Sequence, residues 1–278
     1  MTDVNDRSAD KNFQHWVKAN LAINITKNGI EECVENEMIK FHSDALTNIR
    51  SPDQILREEL CFDCSTENIL YCPTRSVCDT RKVNCSFHRS PELTFRPCPK
   101  QIRDRLREKI RRSHEHNAPS WRNTQANSWC DNPWEIAKCY MPPDGYTAAD
   151  TPADTDLNGI LSIIMNHSAL VSIFDQLDTL KAREVTKVVR HSPDMTLTEH
   201  TLMDFLNKLI RFLTYSSDKK ANDAVQQISQ LKGETLSIST QDITKVLNDV
   251  IKENTELSLN AIDKAGIVVF GKDERISK

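Results

Sequence analysis

The sequence predicts a mostly α-helical protein, and three observations predict it. All eleven prolines lie between Pro52 and Pro193, which leaves both flanks free to be helical. Only six glycines serve 278 residues, too few for the turns of a β-sandwich or for a glycine-rich phosphate loop. Apolar residues recur at three- and four-residue spacing on either side of an irregular, cysteine-rich middle. The composition, 38% hydrophobic and 27% charged, is lean for a folded chain but not that of a disordered one.

Taken in order, residues 1–10 form a polar, disordered N-terminus without the apolar segment of a secretory signal. From Lys11 to Lys27, Phe13, Trp16, Val17 and Leu21 mark one helix. Asn28-Gly29 reads as its end, glycine being the residue that adopts a left-handed cap cheaply. Ile30, Cys33, Val34, Met38, Phe41 and Leu46 line a second helix, so residues 11–51 read as a helical hairpin whose apolar face packs on something later in the chain. Residues 52–99 are a cysteine-rich insert. Lys100 to His116 returns to helix with the narrow stripe Ile102, Leu106 and Ile110.

After Trp129 and the run Trp134-Glu135-Ile136-Ala137-Lys138, Met141-Pro142-Pro143 is a stop, and an acidic spacer runs from Asp144 to Asp156. Leu157, Ile160, Leu161, Ile164, Leu170, Val171 and Phe174 then describe a helix apolar over much of its circumference, hence central. The next helix runs from about Leu180 to His191 and is ended by Pro193. Thr196-Leu197-Thr198-Glu199 reads as a capping box, and behind it Leu202, Phe205, Leu206, Leu209, Ile210 and Leu213 draw a long stripe. Residues 100–216 thus form a helical core. Residues 217–278 add helices over Lys219 to Lys232 and Thr240 to about Asn260, then a short strand-like run from Gly266 to Gly271.

Without a signal segment or a run approaching the ~20 apolar residues of a membrane helix, the expected location is the cytoplasm or nucleus, not the secretory route and not a membrane. In such a reducing compartment clustered cysteines favour metal over disulfides. All nine but Cys33 lie between Cys61 and Cys139. Cys61-X-X-Cys64 and Cys85-X-X-His88 are two chelating pairs with the spacing of a zinc ribbon, each able to turn tightly and offer both donors to one tetrahedral ion. A structural zinc ion on Cys61, Cys64, Cys85 and His88 is therefore expected, with Cys72, Cys78, Cys98, His114 and His116 as alternates or parts of a second site. No His-Glu-X-X-His motif points to a catalytic metal.

The net charge of −4 argues against a wholly basic nucleic-acid binder but leaves room for a local patch. The most basic segment is Lys100 to Arg112. Arg103, Arg107, Arg111 and Arg112, with Trp121 and Trp129 shortly after, are candidates for phosphate contacts and base stacking on RNA. The plain alternative is a solvated face balanced by Asp104, Glu108 and Glu115.

Trp16-Val17-Lys18-Ala19, Trp134-Glu135-Ile136-Ala137-Lys138 with Met141-Pro142, and His191-Ser192 occur in this order in a known family. Over about Phe13 to Leu213 the chain resembles the uncharacterised proteins named for open reading frame thirty-eight of chromosome X. The C-terminal part of that family resembles the HEPN fold (higher eukaryote and prokaryote nucleotide-binding), so the resemblance implies a HEPN-like helical bundle. Active HEPN proteins cut RNA with an arginine and a histidine four to six residues apart, two such pairs meeting in a dimer. Here His191 takes the histidine position, Thr186 stands where arginine is expected and Lys187 where asparagine follows. The resemblance therefore implies an intracellular, non-catalytic RNA- or nucleotide-binding protein, in defence or RNA turnover, that dimerises through its HEPN-like helices. Were any cleavage to remain, His191 and Lys187 would carry it, because threonine cannot supply arginine's charge. A protein-interaction scaffold with a structural zinc site is the competing expectation, and a metal-independent endoribonuclease the third.

Overall fold

One helix organises the fold. In the computed structural model, which describes residues 10–50, 64–70, 96–233, 243, 244 and 246–248, α1 runs unbroken over Lys11–Arg50. Its 40 residues span about 60 Å at 1.5 Å per residue. Phe13, Trp16, Asn20, Ile23, Thr26, Ile30, Val34 and Met38 are all buried, a stripe stepping by three and four residues, and Ala45 and Ile49 continue it two turns on.

The expected hairpin is therefore corrected to a single helix. Asn28-Gly29 does not cap it. A Cβ on Gly29 would lie 2.7 Å from Ala224 Cβ and 3.2 Å from Leu213 Cδ2. Gly29 thus lets a neighbouring helix approach closely, and tertiary packing outweighs glycine's poor helix propensity.

Short elements follow. α2 (Thr66–Ile69) is started by Ser65, whose hydroxyl accepts from Asn68 N. α3 is Ile102–Ser113 and α4 is Pro133–Ala137, the latter capped by Asn132 with proline at its first position. 3-10 turns occupy Ala126–Ser128 and Lys138–Tyr140. Then come α5 (Leu157–Asn166), α6 (Ser168–Val171), α7 (Gln176–Arg190), α8 (Glu199–Leu213) and α9 (Lys219–Lys232). α1 packs against each of α3 to α9. It, rather than the 157–174 segment, is the central helix.

That segment is broken at His167, whose φ of −92° and ψ of 117° part α5 from α6. α7 begins earlier than its apolar spacing predicts, because Asp175 caps it by accepting from Asp178 N. The expected capping box shifts by two residues: Thr198, not Thr196, caps α8 and accepts from Thr201 N. α9 spans the residues its spacing predicts.

The tryptophan block shows why it is so tightly specified. Glu135 and Lys138 are both buried, and Lys138 Nζ donates to Glu135 Oε1 at 2.7 Å and to Thr147 O at 2.9 Å. Glu135 Oε2 accepts from Gln125 N at 2.6 Å, and Thr124 Oγ1 accepts from the Trp129 indole at 2.7 Å. α4 thereby holds the irregular stretch before it in place.

The chain divides into two units, residues 1–237 and 238–278. The second is described only at five helical positions, so the expected helix to about Asn260 and the strand-like run lie outside the described residues for the most part. Among the described residues there is no strand, and no helix is long and apolar enough to cross a membrane.

Candidate functional site

α7 carries two faces with different work. Inward, Thr179, Ala182, Val185, Thr186 and Val189 are buried. Asp178, also buried, accepts from Lys181 Nζ (2.9 Å), Arg211 Nε (2.5 Å) and the Tyr215 hydroxyl (2.9 Å), tying α7 to α8 and the turn after it. Outward, Leu177, Leu180 and Val188 are 62%, 47% and 41% exposed, and Ile173 just ahead of the helix is 44% exposed. Positions 177, 180, 184 and 188 share one stripe, broken by a single charge, Glu184.

The far end of α7 holds the motif residues. Lys187 and His191 are both exposed, four residues apart and so on one side of the helix. The His191 amide caps the helix by donating to Lys187 O at 3.1 Å. Thr186 is 2% exposed and gives its hydroxyl to Ala182 O, so it faces the core, not a ligand. The nearby arginines are engaged. Arg190 donates to Asp156 Oδ2 at 2.6 Å and Arg183 to Asn158 Oδ1 at 3.0 Å, fastening α7 to the start of α5. Asp156 also accepts from Gly159 N and the Tyr146 hydroxyl. Burial, and then the Asp156 carboxylate, push the Tyr146 phenol well above its ordinary range. The first turn of α1 braces the same end: Trp16 Nε1 donates to Val189 O at 2.9 Å, and Leu197 N to Asn12 O at 3.0 Å.

The basic helix α3 is mostly self-neutralised. Arg103, expected on the surface, is 1% exposed and donates to Ala126 O inside the fold. It is a structural arginine, so its assignment to nucleic acid is corrected. Arg107 donates to Ile69 O and pairs with Asp104 at 3.4 Å. Arg111 and Arg112 both grip Glu108, at 2.8 and 2.6 Å, and their hydrogen bonds hold its carboxyl down to about 2. An open groove of about 470 Å³ runs between Asn48 and Ile49 of α1 and the Arg105, Lys109 and Arg112 side of α3, with Asp104 and Glu108 on its wall.

Of the expected zinc ligands, Cys64 is buried just ahead of α2; Cys61, Cys85 and His88 lie outside the described residues, as do the alternates Cys72 and Cys78. Cys98 is a buried free thiol. His114 is buried against Tyr140, and its ring centroid lies 6.1 Å from that of His116. Among the described residues no three histidine, cysteine or carboxylate groups are placed to hold a metal.

Two features escape the sequence pattern. The Glu135–Lys138 pair looks like an ordinary exposed helical ion pair, and only the fold buries it. The α7 stripe is masked because inner and outer apolar residues interleave along one helix. Its signal was Leu177, Leu180 and Val188 at helical spacing.

Fold and site together define a class: a helical protein built round one long helix, with an exposed apolar stripe along α7 and a lysine–histidine pair at its end. The chain belongs to the family described as Domain of unknown function (DUF4559), whose model matches residues 7–265. It is similar to the Uncharacterized protein CXorf38 homolog of Mus musculus, 24% identical over 204 residues that make up 72% of this chain and 55% of the relative. The chain therefore spans about half the length of that curated relative. The resemblance to the chromosome X family is thus confirmed. No solved structure matches.

Proposed function

We propose that the protein is a helical interaction scaffold of the cytoplasm or nucleus, docking through the outer face of α7, and that its first partner is a second copy of itself. The observation that supports this is the exposed stripe of Leu177, Leu180 and Val188, with Ile173 ahead of it. Scattered exposed apolar residues are ordinary, but an aligned set on one helix is a patch. The stripe also complements itself. An antiparallel crossing about a twofold axis midway between residues 182 and 183 sets Leu177 against Val188 of the other copy and Lys181 against Glu184, since both pairs are symmetric about that point. The likeness to the HEPN fold, whose active members pair as dimers, points the same way. The reading includes one structural zinc ion on Cys61, Cys64, Cys85 and His88, supported by the spacing and by the burial of Cys64.

Sedimentation and light scattering test it. The wild-type chain should run as a dimer, and Leu177→Asp with Leu180→Asp as a folded monomer with an unchanged melting curve. A wild-type chain that stays monomeric at the highest attainable concentration sinks the self-pairing reading.

A second reading, RNA binding without cutting, has one observation in its favour: Lys187 and His191 stand exposed together at the end of α7, where a phosphate could reach both. On that reading RNA retention falls steeply with salt and weakens when Lys187, Arg111 and Arg112 are neutralised. No cleavage is expected, because the buried Thr186 offers no charge to a phosphate in transition. Cleavage that disappears in His191→Ala would overturn that expectation.

A further inference from the structure

The turn that ends α7 carries a serine followed by proline, and it lies at one end of the exposed stripe. Pro193 has no amide hydrogen and keeps Ser192 out of the helix. Ser192 is partly exposed, and Pro193 and Asp194 after it are exposed. Three bonds hold the turn, each long at 3.3 Å: Ser192 Oγ donates to Thr196 O, Thr196 N donates to Ser192 Oγ, and Met195 N donates to Ser192 O. Bonds of that length are weak. Residues 192–196 can therefore straighten while both ends stay fixed, His191 N on Lys187 O and Leu197 N on Asn12 O. A serine or threonine ahead of proline occurs three more times, at residues 51, 90 and 151. Ser51 and Ser90 lie outside the described residues. Thr151 is less open than Ser192: its hydroxyl donates to Asp154 Oδ2 at 2.7 Å, and Pro152 is buried. Among the described residues, Ser192 is thus the hydroxyl whose proline an enzyme can reach.

The twofold axis that sets Leu177 against Val188 also brings residue 192 opposite residue 173, since these too are symmetric about the point between 182 and 183. The turn therefore meets Ile173 of the other copy, two residues from its Asp175, and both are exposed in the single chain. A phosphate on Ser192 would carry a charge of about −1.5 to −2. Three features of the place oppose it: the negative end of its own α7, the apolar side chain of Ile173 and the carboxylate of Asp175. The N-terminus of the other copy's α7 would favour an anion, but it already holds Asp175, which accepts from Asp178 N at 2.9 Å. In a single chain the balance is different. Lys187 and His191, exposed at the end of α7, can turn to the phosphate in open water, while Arg190 stays on Asp156. The free chain tolerates the phosphate and the pair does not.

We propose that Ser192 is a phosphorylation site for a proline-directed serine kinase and that, given the self-pairing of α7 on which this rests, its phosphate separates the two copies. In the transfer Ser192 Oγ attacks the terminal phosphorus of ATP. The Oγ–P bond forms, the bond from that phosphorus to the bridging oxygen breaks, ADP leaves, and the hydroxyl proton passes to a base of the kinase. The twofold axis places two phosphates in every pair. Each should weaken pairing roughly tenfold, and the two together roughly a hundredfold. That is a small effect for like charges set together at an interface, because the turn stays partly in water.

Incubation of the full chain with a proline-directed kinase, ATP and magnesium tests this, with peptide mass spectrometry to place the phosphate and sedimentation to read the pairing. Ser192 should take one phosphate, and the concentration at which half the chains are paired should rise roughly a hundredfold. Ser192→Ala should fold and pair as the wild type does, and should stay paired after the same treatment. A Ser192 that takes no phosphate overturns the site. Full phosphorylation of Ser192 with the pair intact overturns the switch but leaves self-pairing standing. Dissociation of treated Ser192→Ala to the same extent assigns the effect to another residue and overturns the switch too. An untreated wild-type chain that never pairs fails the self-pairing itself, and the switch falls with it.

Discussion

Replacing Trp16 tests the long helix and the α7 site at once. Its indole is 1% exposed, stacks on Phe13 with centroids 5.9 Å apart, and donates to Val189 O. Val189 is in the last turn of α7, and its carbonyl would normally await the amide four residues on. That residue is Pro193, which has none. The indole therefore satisfies a carbonyl that the helix cannot. Trp16→Ala should cost about 3–5 kcal/mol, the usual range for truncating a buried aromatic residue. Trp16→Phe keeps most of the packing but leaves the carbonyl unpaired, and should cost about 1–3 kcal/mol. The difference between the two measures packing separately from the bond. Urea unfolding should show both as midpoint shifts at an unchanged slope. A Trp16→Ala cost below about 1 kcal/mol, or a Trp16→Phe variant as stable as wild type, would refute the argument that α1 is the organising helix at this end.

Three further outcomes are expected. Metal analysis of purified protein should find one zinc per chain, and Cys61→Ser should release it; a metal-free chain with all its thiols equally reactive counts against the site. Lys138→Met should destabilise by about 3–5 kcal/mol by stranding the buried Glu135 carboxylate, and adding Glu135→Gln should recover part of the loss; strictly additive effects would show that the two do not interact. Arg103→Ala should cost about 2–3 kcal/mol through its lost bond to Ala126, whereas Arg112→Ala should leave stability unchanged within error, the reverse of what a surface role for Arg103 demands.

Periodicity made most helices legible because each buries a continuous stripe: the residues of α8 and α9 that look apolar in the sequence are those that pack. Boundaries were harder where a single polar side chain decides them. Asp175 and Thr198 start α7 and α8 by accepting one backbone amide each, and neither alters the apolar pattern. Gly29 departs from its apparent role as a cap for a different reason. A glycine at a helix end and a glycine at a close helix crossing look alike in one dimension, and only the 2.7 Å approach of Ala224 separates them.

The candidate sites divide along the same line. Charge density along α3 was visible, but function depends on which charges remain available, and that is a property of the fold. Arg103 lies inside, while Arg111 and Arg112 share one glutamate. A helix with a run of cations thus presents far less free charge than its composition promises. Conversely, α7 looks unremarkable in charge and mixed in pattern, yet it sets an apolar stripe and a lysine–histidine pair in solvent. Its arginines and its aspartate fasten it to α5 and α8, which fixes the orientation of that exposed face. A helix so firmly held, with apolar side chains still uncovered, has the form of a docking surface: the rigidity is already in place, and binding need not order it further.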